Sequence, residues 1–226
     1  MKQVASNPQD KDGEGMGFTL LRVPFFLEPD YPTDPSFEET NRVRLVRKWG
    51  GKEGWERQKA NHGLKERGQE VGIEHFNLDR IASNTLASHR VVQWITRTKG
   101  INEAEQLYNS LNKCHFEDGK KLNDEEMLVQ AAASVGADPE ETRRVIQTGE
   151  GSAQIQAAQE QLRTLGVSGI PTLILGGKYM MPSGAIGAEH LVDAFRQLEV
   201  QGGATGSMFA EPLGIPDEIM EQTLTL

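Results

Sequence analysis

The sequence predicts a helix-rich α/β or α+β domain in which a long helical block is inserted between strands. Three observations predict it. A stretch rich in Val, Leu and Phe, Phe18 to Leu27, opens the patterned part of the chain and reads as a strand. From about residue 36 to 165 the apolar positions recur at the three-four spacing of helices. The pattern then switches to a strand, a Gly-Gly turn and a return strand, followed by one last helix. An order of strand, helices, hairpin and helix is that of a layered fold carrying an inserted helical block.

Each element follows from local chemistry. Pro24 cannot donate to a ladder, so the first strand ends there or lies at an edge. Residues 28–35 hold three prolines and read as a loop. Ser36 with Glu39 has capping-box spacing and is expected to open a helix that stops near Gly50-Gly51. A polar helix spans about Glu53 to Arg67, its charged run a solvated face. The next, Asn84 to Thr98, puts Ala87, Val91, Trp94 and Ile95 on one face. Asn102 with Glu105 opens another, burying Ala104, Leu107, Tyr108 and Leu111. Asn123 with Glu126 opens a fifth, and Asp138-Pro139 with Glu141 a short sixth, since Pro suits the first helical position. Ile155, Ala158, Leu162 and Leu165 mark a seventh that ends at Gly166. Pro171 to Leu175, Gly176-Gly177 and Lys178 to Met181 form the hairpin. A last helix, about Ala188 to Gln201, buries Leu191, Phe195 and Leu198. The domain is thus expected over 18–201, with a disordered tail at 1–17 and a C-terminal tail at 202–226.

Composition excludes several classes of function. A net charge of -9 disfavours nucleic acid and anionic membrane as partners, because phosphate binding needs clustered Lys and Arg. The chain has one cysteine, Cys114, which cannot form an internal disulfide or supply a multi-thiolate zinc site. Met1 to Gly17 carries no apolar core of a signal peptide, and no apolar run approaches the roughly 20 residues of a membrane span. The expected compartment is the cytoplasm.

Other isolated features favour plain readings. His62, His75, His89, His115 and His190 show no metal-ligand spacing, so no metal is expected. Gly176-Gly177-Lys178 lacks the frame of a phosphate-binding loop. Ser183 has no nucleophile-elbow context. Cys114 follows Leu111 by three residues on an inward face and reads as an inert, partly buried thiol.

The segment from Leu165 to Tyr179, Leu-Gly-Val-Ser-Gly-Ile-Pro-Thr-Leu-Ile-Leu-Gly-Gly-Lys-Tyr, resembles the cis-proline strand and hairpin of thioredoxin-fold proteins. Ser183-Gly184-Ala185 and the last helix resemble the close of their DsbA-like branch. Val23 to Asp30, Asn84 to Arg90 and Tyr108 to Phe116 are similar to stretches of its FrnE-type oxidoreductases, in the same order. The likeness covers about Phe18 to Leu198.

The resemblance implies an α/β thioredoxin-like sheet with a large helical insertion, over about 36–165, and thiol-disulfide exchange by a low-pKa cysteine at a helix N-terminus. The family's first strand, its Cys-x-x-Cys and the following helix have no counterpart here, and Cys114 does not match the catalytic position. No catalytic residue, cofactor or metal is therefore assigned. The resemblance implies that Ile170, Pro171 and Thr172 form a substrate-facing loop with a cis bond before Pro171. It implies that Asn84, Thr85 and His89 line a pocket, although the plain reading of Asn84 is a helix cap. Implied partners are thiol- or disulfide-containing proteins or small molecules.

Three readings of function stand: an oxidoreductase-family member that is incomplete or redox-inactive as written, a non-catalytic peptide- or partner-binding module, and a protein similar to kappa-type glutathione transferases. Without the family's central first strand, the strands at Phe18 to Val23 and Pro171 to Leu175 are left with three options. They pair directly, another chain donates a strand, or the isolated chain is unstable and the protein is longer.

Overall fold

In a computed structural model, which describes residues 1–9, 15–70, 72–73, 75–204 and 206–226, the chain is mostly helical. Its elements run α1 (Lys2–Ala5), β1 (Glu39–Thr40), α2 (Asn41–Lys48), α3 (Lys52–His62), α4 (Leu64–Glu70), β2 (Ile81–Ala82), α5 (Leu86–Thr98) and α6 (Ile101–Phe116). Then come α7 (Glu125–Ala133), α8 (Pro139–Thr148), α9 (Ser152–Thr164), β3 (Ile174–Leu175), β4 (Tyr179–Met180), α10 (Ala188–Val200), α11 (Ala210–Leu213) and α12 (Asp217–Met220). The strands form two antiparallel pairs among the described residues. In one, Glu39 faces Ala82 and Thr40 faces Ile81; in the other, Ile174 faces Met180 and Leu175 faces Tyr179.

The chain divides into two compact units. The first combines residues 1–27, 92–105 and 150–226. Its core gathers Ile101, Ala158, Leu162, Phe209, Leu213, Ile215, Ile219 and Leu224, with Leu20, Leu21, Val23, Phe25 and Ile174 packed half-buried against it. The second combines residues 28–91 and 106–149. There Leu107, Leu128, Ala132 and Val145 are fully buried. Asp138 caps α8 by accepting from the Glu141 N–H at 2.9 Å, with Pro139 at the first helical position, as the sequence predicts. The Arg90 guanidinium, 5% exposed, donates to the Val145 and Ile146 carbonyls near the other end of α8.

The structure corrects several expectations. Phe18 to Leu27 is not a strand, because among the described residues no strand pairs with it. Its carbonyls find other donors instead. Phe18 accepts from the Leu224 N–H at 2.6 Å, Arg22 from Gln93 Nε2 at 2.6 Å, and Pro24 from Gln159 Nε2. It does not pair with the 171–175 segment; among the described residues β3 pairs with β4 alone. Residues 1–17 are not wholly a disordered tail. Residues 2–5 are helical, Val4 is fully buried, and Arg196 and Glu199 bind the Asn7 carbonyl and the Gln9 N–H. Part of that expectation, residues 10–14, lies outside the described residues.

The C-terminal stretch is not a tail either. Phe209, Leu213, Ile215, Ile219 and Leu224 belong to the core of the first unit. Their spacing follows two four-residue helices joined by residues 214–216, too short for a helical period to register. Ser36 does not open a helix: Thr40 caps α2 by accepting from the Val43 N–H, and Glu39 sits in β1. The polar helix expected at 53–67 is two helices broken at Gly63, where φ is +45°. Asp124 rather than Asn123 caps α7.

Candidate functional site

In the first unit the candidate loop runs from Gly166 to Ser183. The Ile170–Pro171 bond is cis. Ile170 is 51% exposed, as are Met180 at 51% and Tyr179 at 46%. Thr172 Oγ1 donates to the Gly169 carbonyl at 2.8 Å and lies 3.0 Å from Ser183 Oγ. The Gly184 N–H donates to the Pro171 carbonyl at 2.9 Å and the Met181 N–H to the Leu173 carbonyl at 2.8 Å. Two hydroxyls and two backbone bonds thus lock the loop onto the return strand. Ser183, which sequence reasoning set aside for lack of a catalytic context, is part of this lock. The same segment carries a shallow groove of about 330 Å³, lined by Val167, Met180, Met181 and Pro182 with Thr172 and Ser183.

The hairpin turn that holds this loop requires its glycines. Gly176 and Gly177 have φ of +55° and +70°. A Cβ on Gly177 would lie 2.6 Å from the Gly206 carbonyl oxygen, so the turn tip is pressed against backbone.

In the second unit Asn84 is 8% exposed and precedes α5. Its Oδ1 accepts from the Leu86 N–H at 2.8 Å, and its Nδ2 donates to the Tyr31 carbonyl at 2.6 Å. Asn84 thus sits one residue before the N-cap position, which Thr85 occupies, yet its side chain still serves the first N–H of α5 and ties a distant loop to it. The Thr85 carbonyl accepts from the His89 N–H at 3.1 Å and from Ser88 Oγ at 2.9 Å, the first bonds of α5. His89 is half-buried one turn further on. The six residues expected to face a ligand therefore fall into two sets: Ile170, Pro171 and Thr172 in one unit, Asn84, Thr85 and His89 in the other.

Tyr31 was not singled out in the sequence, where it sits in a proline-rich loop. Its hydroxyl meets the Glu39 carboxylate and accepts from Arg47 Nη2 at 3.2 Å. Burial, with the hydrogen bond and negative charge of Glu39 beside it, pushes its pKa up to about 12. Arg47 holds the Glu39 carboxyl below the usual range. Nearby, the Arg80 guanidinium lies 5.0 Å from both the Phe76 and Phe116 rings, and burial lowers its pKa to about 10.

Cys114 sits in the last turn of α6, half-buried, its carbonyl accepting from the Lys120 N–H at 2.9 Å. A helix N-terminus, the usual place for an activated thiolate, is at the other end of α6. His115 Nδ1 bonds the Lys120 carbonyl at 2.9 Å, and burial lowers its pKa. Among the described residues no three His, Cys, Asp or Glu side chains are grouped to hold a metal ion. No helix among them is long and apolar enough to cross a membrane.

Residues 49–196 match the DSBA-like thioredoxin domain, and the chain belongs to that family. The chain is also similar to the crystal structure of a probable DsbA oxidoreductase from Streptomyces coelicolor. That match has 24% identity and a TM-score of 0.63, and covers 89% of this chain and 76% of the other. No curated protein matches it. The fold is thus the thioredoxin-like α/β fold of the DsbA family, with a large helical insertion and small sheets.

Proposed function

We propose that this chain is a FrnE-type member of the DsbA-like branch of thiol-disulfide oxidoreductases that carries out no dithiol-disulfide exchange as written. The observation that carries this reading is the lone thiol. Exchange by the usual dithiol route needs one thiolate to attack a disulfide and a second thiol to resolve the mixed disulfide. The chain has Cys114 alone, half-buried at the C-terminal end of α6. Refolding of scrambled ribonuclease by residues 1–226 should stay at background. Activity that survives Cys114→Ser would mean that chemistry other than cysteine redox is at work.

A second reading is favoured by the exposed apolar side chains of the Ile170–Pro171 loop. Ile170, Tyr179 and Met180 are exposed on this segment, Met180 lines the groove with Val167 and Pro182, and Thr172 is bonded to the Gly169 carbonyl within the loop. Such a surface suits an extended peptide of a thiol- or disulfide-containing protein, bound without chemistry. In the other unit, Asn84, Thr85 and His89 are a second candidate contact for the same class of ligand. Capture of a cystine-bridged peptide that weakens on Ile170→Asp supports the binding reading; equal capture by the variant contradicts it.

A further inference from the structure

The loop from Glu28 to Thr40 is fastened at both ends by charged and polar groups. Glu28 pairs with Arg44 at 2.7 Å and with Arg47 at 3.4 Å. Glu39 pairs with Arg47 at 3.0 Å. Between them Tyr31 is held through its whole side chain. The hydroxyl meets Glu39 and Arg47, the ring packs on Phe37 at 5.1 Å between centroids, and the Arg47 guanidinium lies 5.7 Å from the ring centre. A residue fixed in this way has its backbone carbonyl fixed too. That carbonyl is the acceptor for Asn84 Nδ2 at 2.6 Å.

Asn84 spends its other end on the first turn of α5, where Oδ1 accepts from the Leu86 N–H. The amide cannot flip without setting N–H against N–H and O against O at its two partners. An asparagine side chain has two N–H groups and two acceptor sites. One of each is used, which leaves one donor and one acceptor in a single fixed orientation. We infer that Tyr31 is a positioning residue: clamped by Glu39 and Arg47 on one side, it orients the Asn84 amide and with it the N-terminus of α5. The consequence for ligand recognition rests on the reading of Asn84 as a ligand contact, but the orienting role itself does not.

The test separates the two. Amide exchange at Leu86 reports its bond to Asn84 Oδ1, and exchange at Met127, capped by Asp124, reports the same unit away from the loop. Tyr31→Phe and Glu39→Ala should each speed Leu86 exchange about tenfold, the scale of one lost hydrogen bond. Met127 should stay as in the wild type. Glu39→Gln, which keeps an acceptor for the hydroxyl, should have a smaller effect. The Asn84 side-chain NH2 resonances should move in Tyr31→Phe. Unchanged Leu86 exchange in both loss variants, or equal acceleration at Met127, would overturn the inference. Independently, calorimetry with oxidised glutathione compares wild type with Asn84→Ala. Equal or absent binding removes the ligand-contact reading and leaves the exchange result to decide the positioning role.

Discussion

At Gly177 the backbone allows no side chain for two separate reasons. Its φ of +70° is disfavoured for any residue with a Cβ, and the Gly206 carbonyl oxygen occupies the space that a Cβ would take. Gly177→Ala should therefore cost more than about 1 kcal/mol, read as a shift in the denaturant midpoint. At Gly72, where φ is +82° and the space is open, an alanine meets the backbone term alone and should cost less. Tyr31 and Glu39 make a residue-scale prediction about pH. The Tyr31 pKa is raised from 10.0 to about 12, so the unfolded chain loses that proton first as pH rises. The stabilisation is complete below pH 10 and is lost as pH climbs toward about 12. Glu39 behaves oppositely. Its pKa is lowered, so its contribution is present above the ordinary carboxylate range and is lost as pH falls through its own lower value. Tyr31→Phe should flatten the alkaline limb of stability against pH, and Glu39→Gln the acid limb. Limbs that match the wild type would contradict the clamp.

At the scale of elements, the start of α6 depends on a segment more than a hundred residues away. The Ile101 N–H donates to Gln222 Oε1 at 3.0 Å, while Asn102 binds the Thr223 carbonyl at 3.2 Å and the Thr225 N–H at 2.7 Å. Ile101 is 1% exposed, so Gln222→Ala would strand a buried donor and should cost about 1–3 kcal/mol in chemical denaturation. An unchanged midpoint would show that another acceptor takes the N–H. The same helix shows where the sequence could and could not be read. Asn102 and Glu105 have the spacing of a local cap, yet Asn102 serves the C-terminal segment and Glu105 pairs with Arg22 at 2.6 Å. Spacing reveals a cap only when the partners are local. Asp138-Pro139, the period of α9, the Gly176-Gly177 turn and the span of α10 are local features, and all were legible, although Leu191, Phe195 and Leu198 of α10 are half-buried rather than buried. The C-terminal helices, the role of Tyr31 and the side-chain donors that serve Arg22 and Pro24 depend on distant residues and carry no local signature. For the candidate site, a bond from the Asn84 side chain to the first turn of α5 was legible from residue type, although Thr85 holds the cap position itself. The second Asn84 bond, to a loop 53 residues earlier, was not.

For the whole molecule, the sheet is the informative feature. Leu20, Leu21, Val23 and Phe25 pack on the core of the first unit from a stretch that joins no sheet among the described residues, where β3 has β4 on one side alone. Among residues 19–23 and 170–175 none is buried, although Leu20, Leu21, Val23 and Ile174 all touch that core. The edge of β3 away from β4 is open among the described residues, and open strand edges invite pairing. The lone thiol gives the account its most direct test. Pre-reduced residues 1–226, freed of reductant, are incubated with an excess of a cystine-bridged peptide, and fully reduced dithiol peptide is counted per mole of protein by mass spectrometry. The lone thiol can open the bridge but not resolve the mixed disulfide, so the expected result is at most one peptide adduct per chain, on Cys114, none in Cys114→Ser, and no free dithiol peptide. Release of one dithiol peptide per chain would contradict it.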